Sequence, residues 1–296
     1  MDKKGIFYAL GAYSLWGLFP IYWKWLQEVP AIQLIGHRIS WSFIMLMIVI
    51  LGTRQWSAFR SKLTWRVLAV YLFTGLLLSV NWLIYVWGVN AGYVVETSLG
   101  YFINPLLSVM LGVIFLREKL RPVQWMPIGL AALGVVYLTK AYGSLPWIAL
   151  SLAFTFGTYG LLKKISPLGS LYGLTLETGM VFIPALAYLI FVDVQGQGAF
   201  LHVGFKADLL MVGAGLVTIV PLLMFASAAQ RIPLTMIGIM QYITPTMQFL
   251  LGVLVYKEPF TTSKLIGFSM IWLALIIFWV EGVIAHRAQK TVVEVA

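Results

Sequence analysis

The chain has no cysteine and few charged residues, and both deficits restrict what it can be. Without cysteine it can form no disulfide, no thiolate metal site and no cysteine nucleophile. Only 10% of its 296 residues are charged and 61% are hydrophobic, whereas a soluble domain carries about 25% charged residues. The mean hydropathy is +0.92. A soluble fold of this size would need a charged surface that the chain lacks, so lipid is the expected solvent.

Sequence motifs for several kinds of chemistry are also missing. The chain has no P-loop for ATP and no His-Glu-x-x-His zinc motif, and it contains three histidines. No set of serine, histidine and acid is expected at membrane depth. The sequence therefore predicts no enzyme, no metal and no cofactor. An intramembrane enzyme whose polar residues are scattered over several spans is kept as an alternative.

Ten apolar segments are long enough to cross about 30 Å of hydrocarbon. They lie at residues 6–26, 31–52, 66–90, 93–116, 122–140, 145–163, 169–193, 208–230, 233–256 and 263–285. The first is too long for the core of a signal peptide and has no convincing cleavage site, so we expect it to be retained as a span.

A shift of 140 residues brings the two halves of the chain into register without a gap. It superimposes Gly75 on Gly215, Ile103 on Ile243, Pro105 on Pro245, Gly112 on Gly252 and Glu118 on Glu258. Residues 1–141 and 142–296 are therefore predicted to be two repeats of five spans. Because five is odd, the second repeat is expected to be inverted in the membrane. The predicted fold is an all-α membrane protein with ten transmembrane helices in two inverted five-helix repeats.

The positive charge of the chain indicates its orientation. The net charge is +10. If the N-terminus is cytoplasmic, fourteen of the nineteen Lys and Arg residues in the loops, the termini and the ends of the spans lie on the cytoplasmic side, and Arg38 lies deeper within a span. The positive-inside rule therefore predicts a protein of the inner membrane with both termini in the cytoplasm. Topology and anionic lipid headgroups account for the charge, so no nucleic-acid partner is predicted.

Polar side chains recur at helical spacing on one face of spans four and nine. The two triplets, which the shift of 140 relates, are Tyr101, Asn104 and Ser108, and Gln241, Thr244 and Gln248. Pro105 and Pro245 directly follow the central polar residues, and each proline frees a backbone carbonyl that needs a partner in protein or water. The duplicated pattern predicts two symmetric helices that line a wet cavity. The alternative is that these groups only bind neighbouring helices to each other.

Aromatic and amide side chains of spans one, three and six are predicted to complete a substrate cavity. The predicted cavity residues are Tyr13, Trp16, Asn81, Trp82, Tyr85, Tyr101, Asn104, Tyr159, Gln241, Tyr242, Thr244 and Gln248.

A few ionisable side chains lie at membrane depth, where they are costly and usually functional. His37 and Glu177, which the shift of 140 relates, could couple transport to protons. Arg38 could form a structural ion pair with Glu96, and a satisfied buried histidine is the alternative role for His37. Glu118 and its counterpart Glu258 are expected to cap or tether neighbouring helices.

Several segments resemble the drug/metabolite transporter superfamily, in its EamA-type branch and there the RarD-like proteins. They are HRISWS at 37–42, NWLIYVW at 81–87, ETSLGYFINPL at 96–106 and QYITPT at 241–246. The string GYFINP is the most specific, and the resemblance covers the whole chain. It implies ten helices, cytoplasmic termini, a central cavity formed by spans one, three, four, six, eight and nine, and the movement of metabolites, often the export of amino-acid-like solutes.

Together these patterns predict a secondary transporter that moves a small metabolite or drug-like solute by alternating access, as an exporter. A channel or passive pore of the same fold is the alternative. The expected partners are a small-molecule solute and the lipid bilayer, without an obligatory protein partner.

Overall fold

The structure is a computed structural model that describes residues 2–91, 93–142, 146–256 and 262–295. Within these ranges it is helical and contains no strand. The α-helices are α1 (Lys3–Lys24), α2 (Ala31–Gly52), α3 (Trp56–Arg60), α4 (Trp65–Asn90), α5 (Val94–Phe115), α6 (Trp125–Tyr142), α7 (Trp147–Ile165), α8 (Ser170–Val194), α9 (Phe205–Ala229), α10 (Leu234–Met240), α11 (Ile243–Leu250) and α12 (Thr262–Val295). A 3-10 turn, Pro122–Gln124, precedes α6, and a π-helical turn, Leu251–Val255, extends α11.

Six helical segments of the described chain are long and apolar enough to cross a membrane. They are Ala31–Gly52, Trp65–Gly88, Pro122–Lys140, Ser170–Val194, Phe205–Ala229 and Leu234–Val255. Each of the ten predicted spans overlaps a helix or, for the ninth, a pair of helices. Large apolar side chains cover the outer surface; Ile183 is 74% exposed and Trp279 is 71% exposed. Such a surface is suited to contact with lipid.

The predicted ninth span is not one continuous helix, because Gln241 lies in a break between α10 and α11. Pro245 explains the break. It has no N–H to donate to the Gln241 carbonyl four residues earlier, and its ring clashes there. That carbonyl instead accepts a hydrogen bond from the N–H of Thr244 at 3.2 Å. The counterpart Pro105 lies inside the continuous helix α5, so the two halves differ at this point.

Helices of the first half pack mainly against helices of the second half. α1 packs against α9 and α11, α2 against α8 and α9, α4 against α7 and α8, α5 against α7 and α10, and α6 against α12. The shift of 140 exchanges α1 with α7, α2 with α8, α4 with α9, α5 with the α10–α11 pair, and α6 with α12. This exchange turns every one of those contacts into another of the same set. The halves are therefore related in packing as well as in sequence, and the interior lies at their interface.

Two glycines related by the shift of 140 allow helices of the two halves to approach closely. A Cβ at Gly75 in α4 would lie 2.9 Å from the carbonyl oxygen of Glu177 in α8. A Cβ at Gly215 in α9 would lie 2.7 Å from the backbone carbonyl carbon of Trp41 in α2. Ser42 donates a hydrogen bond to the Gly215 carbonyl across the same contact, at 3.3 Å. Small residues at such positions are typical of helix packing in membranes.

Candidate functional site

A cavity of about 270 Å³ lies between the two halves of the chain. Its wall consists of side chains from α1, α2, α4, α5, α7, α9 and α11 and from the break between α10 and α11. Ten of the twelve predicted cavity residues line it, namely Tyr13, Trp16, Asn81, Trp82, Tyr85, Tyr101, Asn104, Gln241, Thr244 and Gln248. The residues that line it without having been predicted include Phe19, Trp23, Arg38, Phe156, Thr218 and Leu222.

The other two predicted cavity residues, Tyr159 and Tyr242, lie elsewhere. Tyr159 is fully buried, its ring is stacked on Phe225 with centroids 6.0 Å apart, and its hydroxyl donates to Glu177 at 3.2 Å. Tyr242 packs in a second cluster between α5, α6 and α12, where its hydroxyl donates to the carbonyl of Phe102 at 3.3 Å. Tyr242 follows Gln241 directly, so the two side chains leave the helix break in different directions.

Several cavity side chains also bind neighbouring helices to each other. Thr244 donates to the Tyr13 carbonyl at 2.8 Å and Gln248 donates to the Trp16 carbonyl at 3.2 Å, so both tie α11 to α1. Asn81 of α4 donates to the Leu152 carbonyl of α7 at 2.9 Å. Thr244 and Gln248, which belong to the polar triplet of span nine, therefore both line the cavity and bind neighbouring helices to each other.

Two polar atoms of the cavity wall have no hydrogen-bond partner. They are the hydroxyl of Tyr13 and Oδ1 of Asn104, and both are buried. The shift of 140 relates Asn104 to Thr244, which binds a backbone carbonyl of α1. Buried polar groups nearly always have a partner, so each exception needs an explanation. Both atoms are enclosed by protein, so water or a solute in the cavity reaches them only when a neighbouring side chain moves.

Arg38 reaches into the cavity from α2. Its guanidinium carbon lies 4.8 Å from the ring centroid of Trp23 and 4.4 Å from that of Trp82, and its Nε donates to Oγ1 of Thr218 at 3.1 Å. The predicted partner was Glu96, whose side chain lies outside the described residues. Among the residues that the structure describes, no carboxylate forms an ion pair with Arg38.

The two residues predicted for proton coupling have separate surroundings. His37 is buried near the start of α2, with its ring centroid 5.2 Å from that of Phe200. Glu177 lies in a polar cluster that α4, α7 and α8 form together. Neither residue lines the cavity.

The polar cluster around Glu177 contains a buried ion pair. Nζ of Lys163 lies 3.1 Å from Oε1 and 3.2 Å from Oε2 of Glu177, and both side chains are 1% exposed. Thr74 donates to Oε1 at 2.7 Å and Tyr159 donates to Oε2 at 3.2 Å. Both carboxylate oxygens thus have two donors each, which is the arrangement that makes a buried charge tolerable. The sequence did not indicate this pair, because Lys163 is the last residue of the predicted sixth span, 145–163, where a lysine is expected to reach the membrane surface.

Polar contacts between the halves close the end of the bundle at which α1 and α10 begin. Glu118, after α5, accepts from the N–H groups of Leu234 and Thr235 at 2.7 and 2.9 Å, so it caps α10 as predicted. Within the second half, Nζ of Lys164 donates to the Ile232 carbonyl at the same end of the bundle, at 2.5 Å.

The first residues of the chain join the same end. Arg231 lies 3.4 Å from the carboxylate of Asp2, which caps α1. The hydrogen bond from the Gly5 N–H, followed by that from Lys4 and the nearby Arg231, lowers the pKa of the Asp2 carboxyl below its usual range.

Among the described residues, no group of three or more His, Asp or Glu side chains is placed to hold a metal ion. The cavity instead offers aromatic faces, amides, hydroxyls and one guanidinium among its described lining residues. Such a set can bind a small molecule of mixed polarity.

Comparison with known proteins gives matches over the whole chain. The model of the EamA-like transporter family matches residues 3–140 and again residues 145–280. An uncharacterized transporter, YojE of Bacillus subtilis, is 46% identical over an alignment of 300 positions that covers 98% of each chain. Protein RarD of Streptomyces exfoliatus is 41% identical over 100% of this chain and 94% of its own length. Protein RarD of Escherichia coli is 39% identical over 96% and 97% of the two chains.

A protein of known crystal structure has a similar fold. The two structures superimpose with a TM-score of 0.70, and the match covers 94% of this chain and 98% of the other at 16% sequence identity. At that identity the likeness concerns the fold alone.

Proposed function

The chain belongs to the EamA-like transporter family, and from this premise we propose that it is a secondary transporter that moves a small metabolite or drug-like solute by alternating access. The family match confirms the resemblance to the drug/metabolite transporter superfamily, and the protein is a multi-pass membrane protein. The proposal adds that the solute binds in the cavity between the halves and that the direction is export. It also places the protein in the inner membrane, where it transports and does not catalyse.

The observation that carries the proposal is the cavity at the interface of two related halves. In transporters built from inverted repeats, the solute site lies near the membrane midplane between the repeats, and rearrangement of one repeat against the other exposes it to each side in turn. The shift of 140 turns each helix contact between the halves into another such contact, and this symmetry supports two states of that kind. We propose that the two halves each contribute five spans and that they have opposite orientations.

The position of the cavity suggests which state the structure represents. Its lining residues on α1 run from Tyr13 to Trp23, in the C-terminal half of that helix, and those on α5 run from Thr97 to Asn104, near its start. The polar contacts of Glu118 and its neighbours lie at the opposite end of the bundle. With both termini in the cytoplasm, the cytoplasmic end is closed and the cavity lies in the outer half.

Counterflow in proteoliposomes tests the proposal. A thermal-shift screen of the purified protein against amino acids, purines and amphipathic drugs selects the solute. Vesicles are then loaded with unlabelled solute, and the uptake of labelled solute is compared with uptake into unloaded vesicles and into protein-free vesicles. A carrier accelerates uptake when the other side is loaded, because the solute-bound cavity reorients in both directions.

The alternatives give different results. A passive pore would take up label at the same initial rate with and without internal solute. An intramembrane enzyme would convert a compound to product in detergent, where no gradient exists. Either result would replace the transporter proposal.

A further inference from the structure

Arg38 is the cavity residue whose purpose the packing does not explain. Trp23 and Trp82 flank its guanidinium at 4.8 and 4.4 Å, and Thr218 accepts a hydrogen bond from its Nε at 3.1 Å. Three different helices thus hold the group in one orientation. Its two terminal nitrogens make no hydrogen bond with any residue that the structure describes, so a planar pair of donors borders the cavity.

A cation at membrane depth is costly unless a partner compensates its charge. The ion pairs of the described residues all involve other cations, of which Lys163 is the buried one. The two tryptophans attract a cation without neutralising it. The missing partner is therefore an anion. The parallel N–H groups at the free edge of a guanidinium match the two oxygens of a carboxylate.

Two polar atoms elsewhere among the cavity residues have no hydrogen-bond partner. Oδ1 of Asn104, a side chain only 4% exposed, can accept a hydrogen bond and has no donor, and the buried hydroxyl of Tyr13 has no partner either. Thr244, the counterpart of Asn104, uses its side chain to bind α1. In the first repeat the amide oxygen at this position is therefore unpaired, whereas the second repeat uses the same position to join two helices.

We propose that the cavity binds a small organic solute with a single carboxylate, which the terminal nitrogens of Arg38 hold. The apolar body of the same solute lies against the aromatic wall of the cavity. This inference rests on the proposed function and names the chemistry of the solute. One cation among the described lining residues balances one negative charge, which favours a monocarboxylate over a dianionic phosphate ester. A cavity of about 270 Å³ is of the size that suits a small molecule.

The test compares carboxylates with their neutral amides. Purified full-length protein is titrated with benzoate and benzamide, phenylacetate and phenylacetamide, and hexanoate and hexanamide, with phenyl phosphate as the dianionic probe. The midpoint of thermal unfolding reports binding. We expect half-saturation by at least one carboxylate at a concentration about tenfold or more below that of its amide, because a bidentate charge-assisted pair is lost in the amide.

Variants assign the selectivity to Arg38. Arg38→Gln should bind the acid and the amide of a pair equally, and Arg66→Gln, an exposed arginine at the start of α4, should behave as the wild type. If Arg38→Gln does not fold, Arg38→Lys replaces it, and the loss of the planar donor pair should reduce the preference. Equal binding of acid and amide by the wild type in every pair, or tighter binding of phenyl phosphate than of every carboxylate, would overturn the proposal.

Two more outcomes are decisive. Selectivity that survives Arg38→Gln would assign the anion to another group. If Glu96 neutralises Arg38, carboxylates will stabilise Glu96→Gln and not the wild type, which also refutes the proposal. The titration measures binding alone, so carboxylate selectivity without counterflow would refute the proposed transport and leave this inference standing. Counterflow without carboxylate selectivity would support the proposed transport and refute this inference.

Discussion

Lys163 and Glu177 form an ion pair with 3.1 Å between Nζ and Oε1, and both side chains are 1% exposed. The pair joins α7 to α8, and Thr74 connects it to α4 of the other half. A buried pair of this kind contributes little compared with well-packed apolar side chains, but the removal of one partner leaves the other charge uncompensated. The pair is therefore a sensitive point of the fold and lies outside the cavity.

We predict that Glu177→Gln lowers the free energy of unfolding by about 3 kcal/mol, because the Lys163 ammonium then lies in the protein without a counter-charge. Lys163→Met should cost a similar amount. The double variant Lys163→Met with Glu177→Gln should cost less than the sum of the two single changes, because it leaves neither charge alone in the protein. Denaturant unfolding in mixed micelles measures all three. Additive costs would show that the two charges do not interact.

Proton coupling through Glu177 or His37 stays a prediction with its own test. Glu177→Gln, in the fraction that folds, should keep solute exchange in proteoliposomes and lose the acceleration that an imposed pH gradient gives the wild type, because the variant cannot carry a proton. His37→Gln is tested in the same way, because His37 lies apart from the polar cluster of Glu177 and is the other residue predicted for proton coupling. A wild-type protein whose transport ignores the gradient would return both residues to structural roles.

The sequence predicts the helices and most of the cavity wall, because both follow from local patterns. Hydropathy locates the apolar segments, and the shift of 140 with helical spacing identifies the faces of Asn104 and Gln241. Contacts between distant helices are not visible in such patterns. The indoles that flank Arg38 come from α1 and α4, and Thr218 comes from α9, so its surroundings depend on how three helices rotate against each other.

The break at Gln241 follows in part from a local sequence feature, the proline four residues later. Pro245 predicts that the carbonyl one turn earlier loses its helical donor, and the structure shows the helix interrupted at that residue, Gln241. Helical spacing continues across the break, since Gln241, Thr244 and Gln248 all line the cavity. Tyr242 follows Gln241 by one residue, so its side chain points to another face of the helix and packs against α5, α6 and α12.

A methyl group at Gly215 should destabilise the contact between the halves. Alanine normally stabilises a helix by up to about 1 kcal/mol relative to glycine. At Gly215 the added Cβ would lie 2.7 Å from the Trp41 backbone, so we expect Gly215→Ala to cost about 1–3 kcal/mol instead. Gly129→Ala in α6 is the control, since nothing lies within 4 Å of its Cβ position. Unfolding midpoints of the two variants should move in opposite directions. A shift to higher stability in both would show that the contact is loose.

Both termini are predicted to be cytoplasmic, and a fusion reporter measures this. Alkaline phosphatase, which is active only in the periplasm, should be silent when it is fused after Ala296, because the distribution of basic residues then places that end inside. The same enzyme fused after Gln197, in the predicted external segment, should be active. High activity of the first fusion and low activity of the second would reverse the orientation.

Because the chain has no cysteine, single cysteines can report which residues reach water. We predict that Asn104→Cys and Gln241→Cys react with small water-soluble thiol reagents, since both positions line the cavity. Thr178→Cys is the matched control. Thr178 is 3% exposed, lies in α8 and donates to the Leu174 carbonyl, and it does not line the cavity. If alternating access operates, a bound solute should slow the first two reactions and leave the control unreactive throughout. If Asn104→Cys and Gln241→Cys stay unreactive in every tested state, the polar side chains of spans four and nine only join helices. The cavity would then not be the solute pathway.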